Sequence, residues 1–233
     1  MGFWLLKCVL APIVWLFGRP TVEGAEHVPA EGPVILASNH LAVADSFFLV
    51  LKLRRRITFV AKSEYFTGTG LKGLLTRWFF TAAGQVPIDR SSGSAAQGAL
   101  DAATKILDAG GIWAIYPEGS RSPDGRLHKG KTGVLRVALA TGARVIPVVM
   151  SGSDTVNPPG SRRWRFGRVR IKICPPLDFS RYQDFKEDRQ VVRSATDELM
   201  LALANNSDQE YVDLYAADVK ARLAQSPNLS PVP

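Results

Sequence analysis

His40 and Asp45 are the residues of this chain whose types and spacing best suit acid–base chemistry. At about 100° per residue, their side chains would point about 140° apart on one continuous helix. Contact between them therefore requires His40 to lie in a loop before the helix and to bend back toward Asp45. In that arrangement the carboxylate fixes the imidazole tautomer and stabilises the imidazolium that forms when His40 acts as a general base. The alternative is a loop histidine that only bonds a carboxylate at the start of a helix.

The hydrophobic pattern predicts the elements that would position this pair. Val34–Ala37 is an apolar run, which indicates a buried strand that delivers His40 to its carboxyl end. Residues 44–51 then carry apolar side chains at helical spacing, so a helix should begin just beyond His40. The positive amino-terminal end of that helix favours a carboxylate such as Asp45 in its first turns.

The remaining candidate site residues follow the ends of other predicted strands. Those strands are Ile57–Ala61, Val86–Asp89 and Ile112–Tyr116, and the candidates after them are Lys62, Arg90, Glu118, Gly119, Ser120 and Arg121. In open α/β sheets, ligands bind at the carboxyl ends of the strands. A base, a carboxylate and several cations at one sheet edge predict a site that activates the hydroxyl group of a substrate beside a phosphate.

Strands that alternate with helices predict an α/β fold, a single domain with a central mixed, largely parallel sheet flanked by helices. Further elements are predicted as a strand at Val145–Met150 and helices at 96–107, Thr132–Ala140, Asp188–Ala204 and Asp208–Ala224. The domain prediction is a hydrophobic membrane anchor at residues 1–20, one catalytic domain at 21–225 and a disordered, proline-rich tail at 226–233.

Composition limits the compartment and the partners. The formal net charge of +8 favours anionic partners such as phosphates, nucleic acid or an anionic membrane. Cys8 and Cys174 are far apart in the sequence, so neither a disulfide framework nor a zinc site is indicated, and a reducing compartment fits.

The amino-terminal segment Gly2–Gly18 is almost wholly apolar but is interrupted by Lys7 and Pro12. A spanning helix needs about 20 apolar residues, so this run is slightly short. Its tryptophans, Trp4 and Trp15, favour an interfacial or half-inserted helix, and an amino-terminal core helix is the alternative. The apolar, basic-edged segment Leu71–Ala83 is a second candidate for lipid contact, with core packing as its alternative.

Two phosphate-binding patterns are judged coincidental. Gly125–Thr132 matches the Walker A pattern, but it does not follow a strand directly, as a phosphate-binding loop must. Gly68–Gly73 matches GxGxxG and likewise does not begin at a strand end, so a hinge is the preferred interpretation. The markers of serine hydrolases and zinc proteases, GxSxG and HExxH, do not occur.

The basic stretch Arg162–Lys172 contains interleaved aromatic residues and so has the composition of a nucleic-acid patch. From Arg168 onward, however, apolar residues alternate with cations, which predicts a half-buried strand with a basic outer face. That face would serve an anionic membrane equally well, and no nucleic-acid fold signature accompanies it. We therefore predict an anionic membrane surface and no nucleic acid among the partners.

Four blocks of the sequence resemble those of the glycerolipid acyltransferase family, whose members acylate glycerol-3-phosphate and lysophosphatidate. Asn39-His40-x4-Asp45 matches the family's NHx4D block; the other three are Gly84–Arg90, Tyr116–Ser122 (YPEGSRS, similar to FPEGTRS) and Val145–Val148. Their order and spacing agree from Val22 to about Met150, and Lys62 falls where family members carry a phosphate-binding lysine.

The resemblance implies acyl transfer by a histidine–aspartate pair, with the third block binding the phosphate of the acceptor. We expect an acyl-CoA or acyl carrier protein thioester as donor and lysophosphatidate, a lysophospholipid, as acceptor, with glycerol-3-phosphate or another lysolipid as the alternative. No cofactor or metal is expected, and the predicted location is the cytoplasmic face of the cell membrane, with peripheral or monotopic attachment through the amino-terminal helix. A hydrolase that forms an acyl-enzyme on Ser38 or Ser120, and a non-enzymatic membrane- or RNA-binding module, remain as alternatives.

Overall fold

The computed structural model describes residues 2–63, 66–82, 84–88, 95–159, 161 and 163–225. Its strands are β1 (Thr21–Glu23), β2 (Val34–Ser38), β3 (Ile57–Lys62), β4 (Gln85–Ile88), β5 (Ile112–Ile115), β6 (Leu127–His128), β7 (Arg144–Ser151), β8 (Arg170–Ile173) and β9 (Tyr211–Val212). Its helices are α1 (Gly2–Gly18), α2 (Asp45–Lys52), α3 (Gly70–Ala82), α4 (Ala95–Asp108), α5 (Gly133–Thr141), α6 (Ser153–Val156), α7 (Arg189–Asn206) and α8 (Ala216–Gln225).

Within the described residues, the main sheet has the strand order β1-β8-β7-β2-β5-β3-β4. All of its neighbouring strands run parallel except β7 and β8, which are antiparallel, so the predicted mixed, largely parallel α/β sheet is confirmed. The completely buried strand β2 lies between β5 and β7, and its carboxyl end carries the loop that contains His40. A central strand with neighbours on both sides gives that loop a rigid base.

The two faces of β2 explain why its sequence is apolar throughout, because side chains alternate between the faces of a strand. Val34 and Leu36 belong to a core that includes Val14 of α1 and Phe48 of α2. The intervening side chains belong to a second core on the opposite face, which is built largely from α4, α5 and α7. The sheet is therefore covered on both sides, as the alternation of strands and helices predicts.

Helix α1 packs on α2 through one side and leaves the other side exposed. A Cβ at Gly18 would collide with the ring of Phe48, and the ammonium of Lys7 donates to the carbonyl of Leu53 at 2.6 Å. This hydrogen bond explains the charged residue within the apolar run. Trp4 and Trp15 are 60% and 58% exposed. Among the helices of the described ranges, none is both long enough and apolar enough to cross a membrane.

One sequence prediction of secondary structure is wrong in part, and one short strand was not predicted. The helix predicted at Asp208–Ala224 begins only at Ala216, because Tyr211–Val212 forms β9 and pairs in parallel with β6. The polar segment after α1 also contains a strand, β1, which pairs with β8. Both strands are too short to produce a readable periodicity and exist through partners distant in the sequence. The predicted tail at 226–233 and the end of the strand at Asp89 lie outside the described residues.

Candidate active site

The loop after β2 brings His40 into contact with Asp45, and His40 lies before α2, as contact at this spacing requires. Oδ2 of Asp45 accepts hydrogen bonds from the amides of Leu41 and Ala42 at 2.8 and 2.9 Å, and His40 Nδ1 lies 2.9 Å from the same oxygen. Because an ionised carboxylate only accepts, His40 must carry its hydrogen on Nδ1, which leaves a lone pair on Nε2. The side chain of His40 is 16% exposed and that of Asp45 only 1%, so the pair combines a buried carboxylate with an accessible imidazole.

Tyr116, which directly follows β5, stacks on the imidazole ring of His40. Their ring centroids are 3.7 Å apart and the ring planes differ by 8°. The Tyr116 hydroxyl is 2.8 Å from the hydroxyl of Ser46 in α2, so the phenol is held at both ends. Burial, followed by the negative charge of Asp45, raises the pKa of the Tyr116 phenol well above its usual value, which keeps the ring neutral. Sequence reasoning missed this contact, although Tyr116 belongs to the quoted YPEGSRS block.

Glu118 fixes the main chain of the same loop. Its carboxylate accepts from the amide of His40 at 3.1 Å and from the amide of His128 at 3.0 Å. The side chain is buried, and this desolvation, with smaller contributions from the charges of Asp45 and Asp124, raises the pKa of Glu118 to about 7 against two opposing amide bonds. Both oxygens are occupied, so this geometry favours a positioning role over the predicted substrate contact.

Asn39 fixes the position of the loop relative to the sheet. Its buried amide exchanges two hydrogen bonds with the main chain of Met150 in β7, at 2.7 and 2.9 Å, and also donates to Gln209 at 2.6 Å. These bonds continue the pairing of β2 with β7 beyond Ser38. The residue before His40 is therefore held by the neighbouring strand.

The segment Gly119–Ser122 lies beside the histidine loop, because the amide of Ser122 donates to the carbonyl of His40 at 2.8 Å. Gly119 has a positive φ of 76°, and its own amide donates to the carbonyl of Tyr116 at 2.9 Å, so it is not free for a ligand. Ser120 is half-buried, while Arg121 is exposed and forms no ion pair with any residue in the described ranges. In particular, no ion pair joins Arg121 to Glu118 within these ranges.

A second set of polar residues anchors the far end of this loop. Asp124 accepts from Arg126 at 2.7 Å and contacts the fully buried His128 at 2.9 Å. Although desolvation opposes it, the combined hydrogen bonds from Arg126 and His128 lower the pKa of Asp124 to about 2. The Walker A match therefore contains a turn and the short strand β6, and it is not a loop that joins a sheet strand to a helix.

Two predicted binding residues lie wholly or partly outside the described residues. Lys62 is the last residue of β3, where its main chain pairs with Ile88, but its side chain lies outside the described part of the structure. Arg90 lies outside the described residues altogether. Binding roles for both remain predictions.

Comparison with known proteins agrees with the geometry. Residues 19–151 match the family model described as Acyltransferase, and this range contains every predicted site residue. A chloroplastic 1-acyl-sn-glycerol-3-phosphate acyltransferase, LPAT1, from Arabidopsis thaliana is 30% identical over 170 residues, which are 72% of this chain and 46% of the relative. The human 1-acyl-sn-glycerol-3-phosphate acyltransferase alpha is 30% identical over 176 residues, 74% of this chain and 60% of the relative.

The chain thus spans about half the length of these curated relatives. Among solved structures, the 1-acyl-sn-glycerophosphate (LPA) acyltransferase PlsC from Thermotoga maritima is similar with a TM-score of 0.66 and 25% identity. That similarity covers 89% of this chain and 81% of the PlsC chain. With its matching family model, its mixed sheet and its His40–Asp45 loop, the chain belongs to the acyltransferase family.

Proposed function

We propose that this chain transfers a fatty acyl group from a thioester, acyl-CoA or acyl carrier protein, to the free hydroxyl of lysophosphatidate. The observation that carries the proposal is the Asp45–His40 contact, which leaves Nε2 of an accessible imidazole without its proton. The named activities of the relatives in the comparison support lysophosphatidate as the acceptor.

In the proposed reaction, Nε2 of His40 removes the proton of the acceptor hydroxyl as the oxygen attacks the thioester carbonyl. Asp45 stabilises the imidazolium, and donors from the surrounding loops stabilise the tetrahedral oxyanion. The carbon–sulfur bond then breaks, and the leaving thiolate takes the proton back from His40. Each step uses groups of the chain and its substrates and requires no metal or other cofactor.

The cations around this loop are proposed to bind the acceptor phosphate. Arg121 offers a planar fork that suits phosphate, and Lys62 and Arg90 are retained as further candidates from the sequence. The phosphate is remote from the reacting carbonyl, but binding it fixes the hydroxyl against His40.

Membrane attachment through α1 is part of the proposal. Trp4, Ile13 and Trp15 are large apolar side chains of α1 that remain exposed. Helix α3 contacts α1 and also exposes Leu71 and Trp78. Exposed apolar side chains on a chain with a net charge of +8 suit an anionic bilayer surface, and we propose attachment at the cytoplasmic face of the cell membrane.

The test is thiol release from acyl-CoA in the presence of lysophosphatidate, glycerol-3-phosphate, another lysolipid or no acceptor. We expect lysophosphatidate to give the highest kcat/KM and His40→Ala to abolish the transfer. Activity with glycerol-3-phosphate alone would replace the acceptor but keep the chemistry. Transfer at a near-native rate by His40→Ala would refute the mechanism.

A serine acyl-enzyme is the alternative chemistry, and the two serines differ in their suitability. Ser38 is buried, and its hydroxyl donates to the carbonyl of Asn39 at 3.0 Å, so it is poorly placed as a nucleophile. Ser120 is accessible, and Ser120→Ala is therefore the decisive variant. We expect it to retain turnover, whereas a burst of thiol that equals the enzyme concentration and disappears in Ser120→Ala would favour the acyl-enzyme.

A further inference from the structure

Lys131 lies across Gly119, in the loop beside His40. A side chain at position 119 would begin 2.9 Å from Cε and 3.1 Å from Nζ of Lys131, so the alkyl chain of the lysine covers the bare glycine. The amide of Lys131 donates to the carbonyl of Pro117 at 2.8 Å, which fixes the main chain of the lysine to the same loop. Lys131 is thus part of this loop's structure even though it belongs to the coincidental Walker A match.

The carboxylates near this loop already have other partners. Glu118 accepts from the amides of His40 and His128, and Asp124 contacts Arg126 and His128. Neither Lys131 nor Arg121 has a carboxylate partner within the described ranges, and both are exposed. By contrast, Lys129 pairs with Asp213 at 2.9 Å. The loop therefore presents two cations whose charge no described acid of the protein neutralises.

Backbone donors add to the positive character of the same segment. The amide of Gly119 is occupied, but the amides of Ser120 and Arg121 donate to no carbonyl in the part of the chain that the structure describes. One ammonium and one guanidinium group, on a segment where two amides lack an acceptor among the described residues, suit a ligand with several anionic oxygens, such as a phosphate monoester dianion. A ligand with a single negative charge would satisfy fewer of these donors.

We propose that Lys131 binds the phosphate monoester of the acceptor together with Arg121, a role that rests on the proposed acyl transfer to a phosphorylated lipid. The bare Cα of Gly119 lets the lysine cross the loop, and any larger residue would displace it. At Gly119 the group that would donate to the phosphate is therefore the ammonium of Lys131, because the amide of Gly119 already donates to the carbonyl of Tyr116.

The test compares Lys131→Met, which keeps the alkyl chain and removes the charge, with Lys129→Met as a control of equal charge change. We expect Lys131→Met to lower kcat/KM for lysophosphatidate by about 10- to 100-fold, because a hydrogen bond to a charged group is lost. Turnover of neutral monoacylglycerol should change less than about 3-fold, and Lys129→Met should resemble wild type on both acceptors. An equal loss on both acceptors, or no loss on either, would overturn the proposal.

A binding measurement separates this inference from the reaction itself. Titration with inorganic phosphate and with sn-glycerol-3-phosphate should give an affinity about 10-fold weaker for Lys131→Met than for wild type and Lys129→Met. If wild type transfers no acyl group but shows this difference, the proposed function fails and the anion site stands. Affinities that are the same in all three proteins would overturn the anion site, whatever the activity.

Discussion

The imidazole of His40 lies flat against the ring of Tyr116, with the centroids 3.7 Å apart. Asp45 restrains the edge of the imidazole and Glu118 restrains its main chain, so Tyr116 is the group that sets the plane of the ring. Ser46 in turn holds the phenol by its hydroxyl. Three elements, β5, α2 and the loop between β2 and α2, therefore determine where Nε2 points.

Replacing Tyr116 should reveal this dependence. Tyr116→Leu removes the stacked ring, and we expect kcat to fall by about 10-fold or more with little change in KM, because an aromatic pair contributes about 0.5–1.5 kcal/mol and a misplaced base costs more. Tyr116→Phe keeps the ring and loses only the bond to Ser46, so its kcat should stay within about 3-fold of wild type. Steady-state kinetics and thermal melts of both variants check this. An equal loss of kcat in Tyr116→Leu and Tyr116→Phe would contradict the stacking role.

Asp45→Asn should be nearly as harmful as removal of the histidine. Three N–H groups converge on Oδ2 of Asp45, and a neutral amide cannot stabilise the imidazolium as the carboxylate does. We expect a loss of about 10²–10⁴ in kcat, the usual contribution of a general base. Asp101→Asn, at an exposed carboxylate on α4 that accepts from Gln97, provides the control. Full activity in Asp45→Asn would remove the carboxylate from the mechanism.

The raised pKa of Glu118 predicts a distinctive dependence of stability on pH. Between pH 4.5 and about 7 the unfolded chain ionises this residue while the folded chain keeps it protonated, so the free energy of unfolding should fall as pH rises through this range. The full effect is roughly 3 kcal/mol, and it should level off above pH 7.

Glu118→Gln removes this titration. Denaturant unfolding of wild type and variant at several pH values should therefore give curves whose separation changes between pH 5 and 8. Gln also accepts only one of the two amides, of His40 and His128, so kcat should fall in the variant as the loop loosens. Parallel curves over the whole range would show that Glu118 is ionised in both states.

The membrane prediction can be tested without deleting α1, which packs on the core through Val14. Trp4→Ser with Trp15→Ser changes only exposed side chains, so the fold should persist. Co-sedimentation with anionic vesicles should weaken by about 10-fold or more, since each large apolar side chain contributes roughly 1.5–3 kcal/mol when buried. Leu201→Ser, an exposed leucine on α7, is the control. Unchanged vesicle binding by the double variant would contradict attachment through these tryptophans and make α3 the next candidate for lipid contact.

The sequence was sufficient for the part of the site that depends on local geometry. A period of 100° per residue excludes a shared helical face for His40 and Asp45, and only a loop lets them meet. The parallel sheet followed from buried strands that alternate with helices. These arguments use residues within one or two elements, where the pattern and the structure are directly related.

The parts that could not be predicted arise from contacts between distant residues. Lys131 lies across Gly119 in the segment just after β6, a two-residue strand whose partner among the described residues is β9. Glu118 is turned inward by two main-chain amides that no sequence pattern reveals. One signal was available for Lys131: a glycine within a polar, functional loop often marks a close approach by another group.

The edge strand β1 has a consequence for the order of assembly. It is joined to β8, and the ring of His27 just after it donates to the carbonyl of Ile173, 146 residues later in the chain. At about 5–20 residues per second, synthesis of that interval takes roughly 7–30 s. During this time α1 is tethered to a strand that has no partner. Helix α1 can pack on α2 early, but the sheet edge beside it is completed only when β8 has been made, so its apolar side chains meet the cellular environment before that edge is closed.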